Sequence, residues 1–439
     1  MRRRLILALA VTLGLVVAPL AVLFSFGGRV GTAVAQTDSY EVWVIDQSDT
    51  TAEGGGTLYV YPGGALTDDA ASVEPEVIDL GGEIGAYCLE QSGTFPKRPH
   101  MLLFDAEDRY GILAFVATGH VLFLEAATRT PVACIDVGEQ AHAAYPAPDG
   151  SYVIVANQNG KLLQRITSDF ATGTFSLDES ATLDLATCTT PSGAACEDPT
   201  LRPDNAPICP IIESGGVFAA VTLRGGGLFV VDATASPIAI VAEYDNTTIR
   251  PNGCGGLETG GKLYLNAGGG TALAPYAADL YAFEIADFST SPAAPNTPAP
   301  NTIFSYGEGA DAHGAVLTGE GAYVWIADRS ANRIVVVDTA SDEVVGEIGL
   351  TTDFTTDPAP DLMEISPDGA WVFLALRGPA PLTANNPDVN NAVGETPGLG
   401  VVRVAAEGQS GELVGLAPIT HPGADGELAD PHGLAVRRS

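Results

Sequence analysis

Basic side chains are scarce in this chain. Its 439 residues hold 20 Lys and Arg against 54 Asp and Glu. Four of the 20 lie in the first 35 residues, which hold no acid, so residues 36–439 carry 16 against 54, a formal charge of −38. Nucleic acid and anionic membrane surfaces are bound by basic clusters that neutralise phosphate, and this composition excludes both as partners of the body of the chain. The surplus acid reads as a solvated surface, as salt adaptation, or as a field that draws in cations. Sustained helical periodicity is missing after residue 40, which sets helical and α/β folds aside. No G-x-S-x-G, P-loop or H-E-x-x-H is present, so serine-hydrolase, nucleotide and zincin chemistry have no motif to rest on. C-x-x-C-H and C-x-x-C are absent too, which removes covalent haem and a redox pair.

The one long apolar run is at the N-terminus. Arg2, Arg3 and Arg4 precede Leu5–Phe26, and Ala33-Val34-Ala35 has the small-residue spacing of a cleavage site. Residues 1–35 therefore read as a signal peptide, with an uncleaved anchor as the alternative because the run is long enough to span a bilayer. Either way the rest of the chain is expected outside the cytoplasm: periplasmic, on the cell surface or secreted. The even set Cys88, Cys134, Cys188, Cys196, Cys209 and Cys254 fits that setting as disulfides, although six cysteines allow 15 pairings. Cys188 and Cys196 flank a short loop and are expected to pair. Cys209 and Cys254 hold matching places in neighbouring repeats and read as a brace between them, or as thiolate ligands. Cys88 and Cys134 remain.

From residue 40 to the end the chain is built of one unit. Its clearest copy is Ala312–Ile348, AHGAVLTGEGAYVWIADRSANRIVVVDTASDEVVGEI: a strand opened by His, a Gly turn, and three more strands separated by turns. Ala141–Ile166 repeats its first part, and in both copies Gly follows His by eight residues (His142 to Gly150, His313 to Gly321). Four-stranded units at a period of roughly 40–50 residues predict a β-propeller. Seven units can be counted, in a single domain over 40–439. The first lacks an inner strand, and His432–Arg437 is left over with the inner-strand pattern. The expected architecture is thus all-β, a seven-bladed propeller closed Velcro-fashion by the C-terminal strand, and a monomer.

Tyr323–Asp328, Asn332–Asp338 and Val344-Val345 in the sixth unit, with Tyr152–Asn157 in the third, resemble the YVTN-type repeat of secreted and surface-layer propellers. The turns Ser366–Gly369 (SPDG) and Ala147–Gly150 (APDG) fit the same repeat. The first, fourth and fifth units depart from it. The resemblance implies the fold. It leaves the activity open, since related propellers include binding proteins, sugar-lactone hydrolases and periplasmic carriers of metals or cofactors.

Six histidines are all the chain has, and four of them, His100, His142, His313 and His432, open inner strands. Asp361 takes that place in the seventh unit, and Cys209 and Cys254 fall at or beside it in the fourth and fifth. Inner-strand starts ring one mouth of the channel, so these residues are expected to line it. Neutral imidazoles and a carboxylate suit a transition metal, Zn²⁺ or Cu²⁺. Adjacent pairs, His100 with His142 and His432 with either neighbour, are the expected groupings, because a seven-bladed opening is wide. Asp311 and Asp430 stand two residues before ring histidines, as carboxylates that orient an imidazole would. Arg224, Arg329 and Arg377 each follow a second strand; lined up around the channel they would grip an anion. Asp388, Asn390, Asn391 and Glu395, in the insertion Ala380–Gly398, offer oxygen ligands for Ca²⁺, but without a D-x-D-x-D-G loop. Three functions follow: a binding or scaffold protein for a metal, small ligand or envelope partner; a lactonase-like or metal-assisted hydrolase with Asp361, Glu364 or a ring His as acid or base; and a purely structural envelope protein.

Overall fold

A computed structural model describes residues 39–251, 253–268, 278–290, 297–307, 309–382 and 392–438. The leader, Gly269-Gly270 and Asp388, Asn390 and Asn391 of the calcium expectation lie outside the described residues. Seven four-stranded antiparallel sheets are present, one per blade. Blades 2, 3, 4, 6 and 7 open with inner strands Pro99–Phe104, Ala141–Pro146, Pro207–Ile212, Ala312–Thr318 and Pro360–Ile365, and blade 5 with the short Gly256–Thr259. Blade 1 takes its inner strand from the far end of the chain: Pro431–Arg438 pairs antiparallel with Tyr40–Asp46. This pairing closes the ring and covers an edge that would otherwise be open to other strands.

The second strand of each blade is among the most buried because it has sheets on both faces. Tyr152–Asn157 is buried throughout, as are five of six residues in Trp371–Leu376. Such strands read as continuous apolar runs because neither side meets water. Trp43 and Trp325 are fully buried between blades, as expected of strand tryptophans, while Trp371 is half-buried.

Two short helices accompany the sheets: α1, Gly63–Asp69, and α2, Glu83–Ser92. In α2 Ile84, Gly85 and Cys88 are buried, and Gly93 ends the helix in the left-handed conformation. One apolar face only ten residues long is too brief a periodic signal to stand out in sequence. The disulfide Cys88–Cys134 ties this helix to the outer strand of blade 2. Cys188–Cys196 closes a loop in blade 4, and Cys209–Cys254 joins blades 4 and 5. No helix among the described residues is long and apolar enough to cross a membrane.

Candidate functional site: a histidine plug in the channel

In six blades the register between inner and second strand slips by one residue at the same place. The slips fall between Pro99 and Met101, Ala141 and Ala143, Pro207 and Pro210, Ala312 and Ala315, and Pro360 and Met363. In blade 1 the slip falls opposite His432-Gly433. A bulge leaves its extra residue out of the ladder and re-aims the side chain. Here the bulged residues are His100, His142, His313, Asp361 and His432, with Ile208-Cys209 in blade 4.

The expected pairs form, His100 with His142 and His432 with His100, but the wide opening expected between them is closed by the bulges: all four imidazoles fold inward and touch. His100 stacks on His432 with centroids 3.7 Å apart. His142 meets His100 edge to face at 4.6 Å, and His313 meets His432 at 5.3 Å. All four are buried and together plug the channel. Gly314 and Gly433, each following a plug histidine, are needed for this closeness. A Cβ on Gly314 would lie 2.3 Å from the Asp361 carbonyl oxygen of the next blade, and one on Gly433 2.6 Å from that of His100.

Hydrogen bonding sets the tautomers. His432 Nδ1 lies 2.9 Å from the His100 carbonyl oxygen, which can only accept, so Nδ1–H donates and Nε2 is bare. Gln47 Nε2 donates to Asp430 Oδ2 at 2.8 Å, which turns its Oε1 toward His100 Nδ1 at 2.7 Å. His100 Nδ1–H therefore donates as well, leaving its Nε2 bare. Gln47 was not singled out from sequence; its place directly after a second strand, shared with Arg224, Arg329 and Arg377, was the available signal.

Burial keeps the imidazoles neutral. It lowers His142 to about 3 and His432 to about 4, and it drives His100 and His313 well below the ordinary value. Nearby cationic groups add to this: Arg329 and Arg377 beside His313, and Arg377 beside His432, where Asp361 pulls the other way.

Asp361 is the hub. Its Oδ2 accepts from Arg377 at 2.7 Å and faces Arg329 at 3.4 Å. Its Oδ1 lies 3.1 Å from His313 Nε2 and 3.6 Å from His432 Nε2. Burial works against its ionisation, but His432, His313, Arg329 and Arg377 outweigh burial and hold the carboxyl well below the usual range. With the imidazoles neutral, the guanidiniums carry that effect at neutral pH.

Two expectations are corrected here. Neither Asp311 nor Asp430 bonds an imidazole directly; Asp430 reaches His100 only through Gln47. Asp311 accepts both limbs of Arg329, each at 3.0 Å, and Asp430 accepts Arg377 at 2.5 and 2.7 Å. Nor do Arg224, Arg329 and Arg377 form an open anion ring. Arg224, near His142, pairs with Asp204 at 2.6 Å, and the other two are buried with their charge spent on aspartates. A guanidinium fork is matched by a carboxylate, and an acidic chain supplies its own. Around Asp361 two guanidiniums face three carboxyl groups, and burial raises two of these, Asp311 and Asp430, above the ordinary range. The start of the insertion docks behind it, with Leu382 N donating to Asp430 Oδ2 at 2.6 Å. Glu395 is engaged by Thr356 Oγ1 at 2.6 Å.

Three atoms in the plug are buried without a hydrogen-bond partner: His313 Nδ1, His313 Nε2 and Asp361 Oδ1. His313, Asp361 and His432 each offer a ligand atom, all within 4.8 Å of one another. That is a donor set a borderline metal ion could use. His142, Cys209 and Cys254 form a second such group. The disulfide leaves those two sulfurs without thiolate character, which corrects the expectation of thiolate ligands for the oxidised chain. The two remaining histidines lie elsewhere: His120 bonds Ser92 and Thr94, and His421 sits half-buried in a loop near Asp46.

Along the channel from the plug is a cavity of about 390 Å³, walled by residues such as Met101, Leu362 and Leu434 and by Tyr145 and Glu364. Glu364 is only half-buried, yet it sits deep in the ring, and burial pushes its carboxyl up to about 7.

No protein-family model matches this chain, and no curated protein does. Solved structures do. A periplasmic gluconolactonase of Pseudomonas aeruginosa superposes with a TM-score of 0.57 at 13% identity, over 91% of this chain and 99% of that one. A protein from Lactobacillus plantarum gives 0.57 at 11% identity, with the same coverage. At such identities the likeness speaks for the seven-bladed fold alone.

Proposed function

We propose that this chain is an extracytoplasmic binding propeller whose plug holds a divalent transition-metal ion, Zn²⁺ or Cu²⁺. The ligands are His313, His432 and Asp361, with His100 and His142 extending the imidazole stack behind them. One observation carries the reading: the His313 ring and Asp361 Oδ1 are buried without a hydrogen-bond partner, and His313 Nε2 at 3.1 Å and His432 Nε2 at 3.6 Å both face that oxygen. Each unpaired buried polar atom costs about 1–3 kcal/mol, and a cation that accepts lone pairs removes that cost. The neutral imidazoles and the ionised Asp361 carboxylate favour the same occupant. The three disulfides support an oxidising compartment, and the repeat residues of blades 3 and 6 support a place among YVTN-type propellers. The test is elemental analysis by mass spectrometry of protein isolated without chelator from an exporting host. About one Zn or Cu per chain is expected, lost in His313→Ala/His432→Ala with the near-ultraviolet dichroism of the fold retained. No metal as isolated, and none taken up on titration, would overturn the reading and leave the plug to bound water.

A second reading, a lactonase-like hydrolase, is favoured by the cavity. A carboxyl raised to about 7 beside an apolar pocket is suited to proton transfer near neutrality. Turnover of a lactone or ester panel, abolished in Glu364→Gln, would support it. An inactive wild type, with and without added metal, removes it.

A further inference from the structure

We propose that the Cys209–Cys254 disulfide is the closed form of a second metal site, which reduction opens to a His142–Cys209–Cys254 ligand set for Zn²⁺. Three observations converge on it. First, this is the one disulfide that, among the described residues, belongs to a group with a third metal-binding atom within 4.8 Å. Second, the spacing is close to that of a metal centre. Zn–S of about 2.3 Å and Zn–N of about 2.0–2.1 Å at a tetrahedral angle place sulfur and nitrogen about 3.6 Å apart, and Cys209 Sγ lies 3.9 Å from His142 Nδ1. The same geometry needs about 3.8 Å between the two sulfurs. With the Cα atoms 5.2 Å apart, side-chain rotation covers that opening once the bond is broken. Third, the disulfide can be reached. Both cysteines are almost wholly buried from outside, but Cys254 lines the 390 Å³ channel cavity. Cys209 sits at a bulge where the inner ladder is already interrupted, and Cys254 lies between Gly253 and Gly255.

The chemistry balances with a small dithiol as reductant. One of its thiolates attacks a cysteine sulfur, and the mixed disulfide resolves on the second thiol. Two electrons and two protons pass to Cys209 and Cys254, and the reductant leaves as a cyclic disulfide. Zn²⁺ then displaces the two thiol protons and takes two thiolates and one imidazole nitrogen. The His142 ring also bonds the Ile208 backbone, a contact that competes for one nitrogen. His142 touches His100, so an ion here borders the imidazole stack of the plug. The site uses different ligands from the plug ion, and neither proposal rests on the other.

The experiment compares the full exported chain, oxidised and after a phosphine reductant, by Zn²⁺ titration and elemental analysis. Co²⁺ serves as a spectroscopic stand-in. Reduction is expected to add one Zn²⁺ per chain to whatever the oxidised protein holds, and to give Co²⁺ a sulfur-to-metal charge-transfer band. Cys209→Ser/Cys254→Ser is expected to lack both the increment and the band. His142→Ala, which keeps the disulfide for folding, is expected to bind the added Zn²⁺ at least about tenfold more weakly, a three-ligand site having lost one ligand. The proposal is overturned if reduction adds no metal to the wild type, or if the increment persists in the double serine variant, which would place it at the other cysteines. Absence of a plug ion would lower the oxidised baseline and leave the increment untouched.

Discussion

Arg377 ties two blades to the plug, and its removal has a cost that can be worked out. The side chain is almost wholly buried, with Nε and Nη2 on Asp430 and Nη1 on Asp361 at 2.7 Å. In Arg377→Met the apolar volume is kept but both carboxylates lose their main counter-charge. Asp430 retains Gln47 and the Leu382 amide, and Asp361 retains Arg329 at 3.4 Å. Breaking a buried ion pair from one side costs about 3–5 kcal/mol. Unfolding entropy of about 2.1 cal/mol/K per residue over a ring of about 400 residues is roughly 0.8 kcal/mol/K. The expected fall in Tm at pH 7 is therefore about 4–6 °C, read by calorimetry or circular dichroism. Arg224→Met is the control. Its partner Asp204 is part exposed, and such a pair is worth about 1 kcal/mol or less, a shift of about 1 °C. The deficit of Arg377→Met should shrink toward pH 4, where protonation discharges the stranded carboxylates. Equal shifts in the two variants, or a deficit that grows as pH falls, would refute this account of the plug.

Two further predictions concern the histidines and their glycines. His432 is held neutral to about pH 4, whereas unfolded His takes its proton near 6.5. Between those values the unfolded chain binds the extra proton, so His432 contributes stability that is present above about pH 6.5 and lost as pH falls, at about 1.4 kcal/mol per pH unit. Asp46 (raised to about 6) and Glu364 act in the opposite sense, so the difference between wild type and His432→Gln is the clean readout. Urea unfolding at pH 6.5 and 5 should show a shallower loss in the variant, and parallel curves would mean that His432 is not held neutral. Gly314→Ala drives a methyl onto the Asp361 carbonyl and should destabilise by about 1–3 kcal/mol or more. Gly349→Ala meets nothing within 4 Å, and its midpoint should stay within about 0.5 kcal/mol of wild type.

What the sequence could and could not disclose follows from the kind of information each feature needs. Blade number and closure depend on period and on one unpaired strand pattern at each end of the chain, and both are visible in a single sequence. So is the His position: the eight-residue spacing to the turn glycine puts His142 and His313 in register, and His100 and His432 open inner strands of the same pattern. Their convergence is different. It depends on a one-residue slip between strands, and a slip is a property of pairing: Pro99 and Met101 look like ordinary strand neighbours until Phe115 and Ala114 are set opposite them. Without the slip each imidazole would alternate onto a blade face, and the wide, empty mouth expected from seven-fold spacing would follow. The arginines fail for a related reason. Their position after each second strand was legible, but whether a guanidinium meets solvent or a carboxylate depends on which loop lies across it. For Arg329 and Arg377 that partner is the aspartate two residues before the plug histidine, of the same blade for Arg329 and of the next blade for Arg377. The same two-residue offset that suggested an Asp–His pair thus serves an Asp–Arg pair. The guanidinium takes the carboxylate because it is always charged, and the neutral ring of His313 is left without a hydrogen-bond partner. That unpartnered ring and the unpartnered oxygen of Asp361 are what make the plug a candidate for a metal ion rather than a finished structural lock.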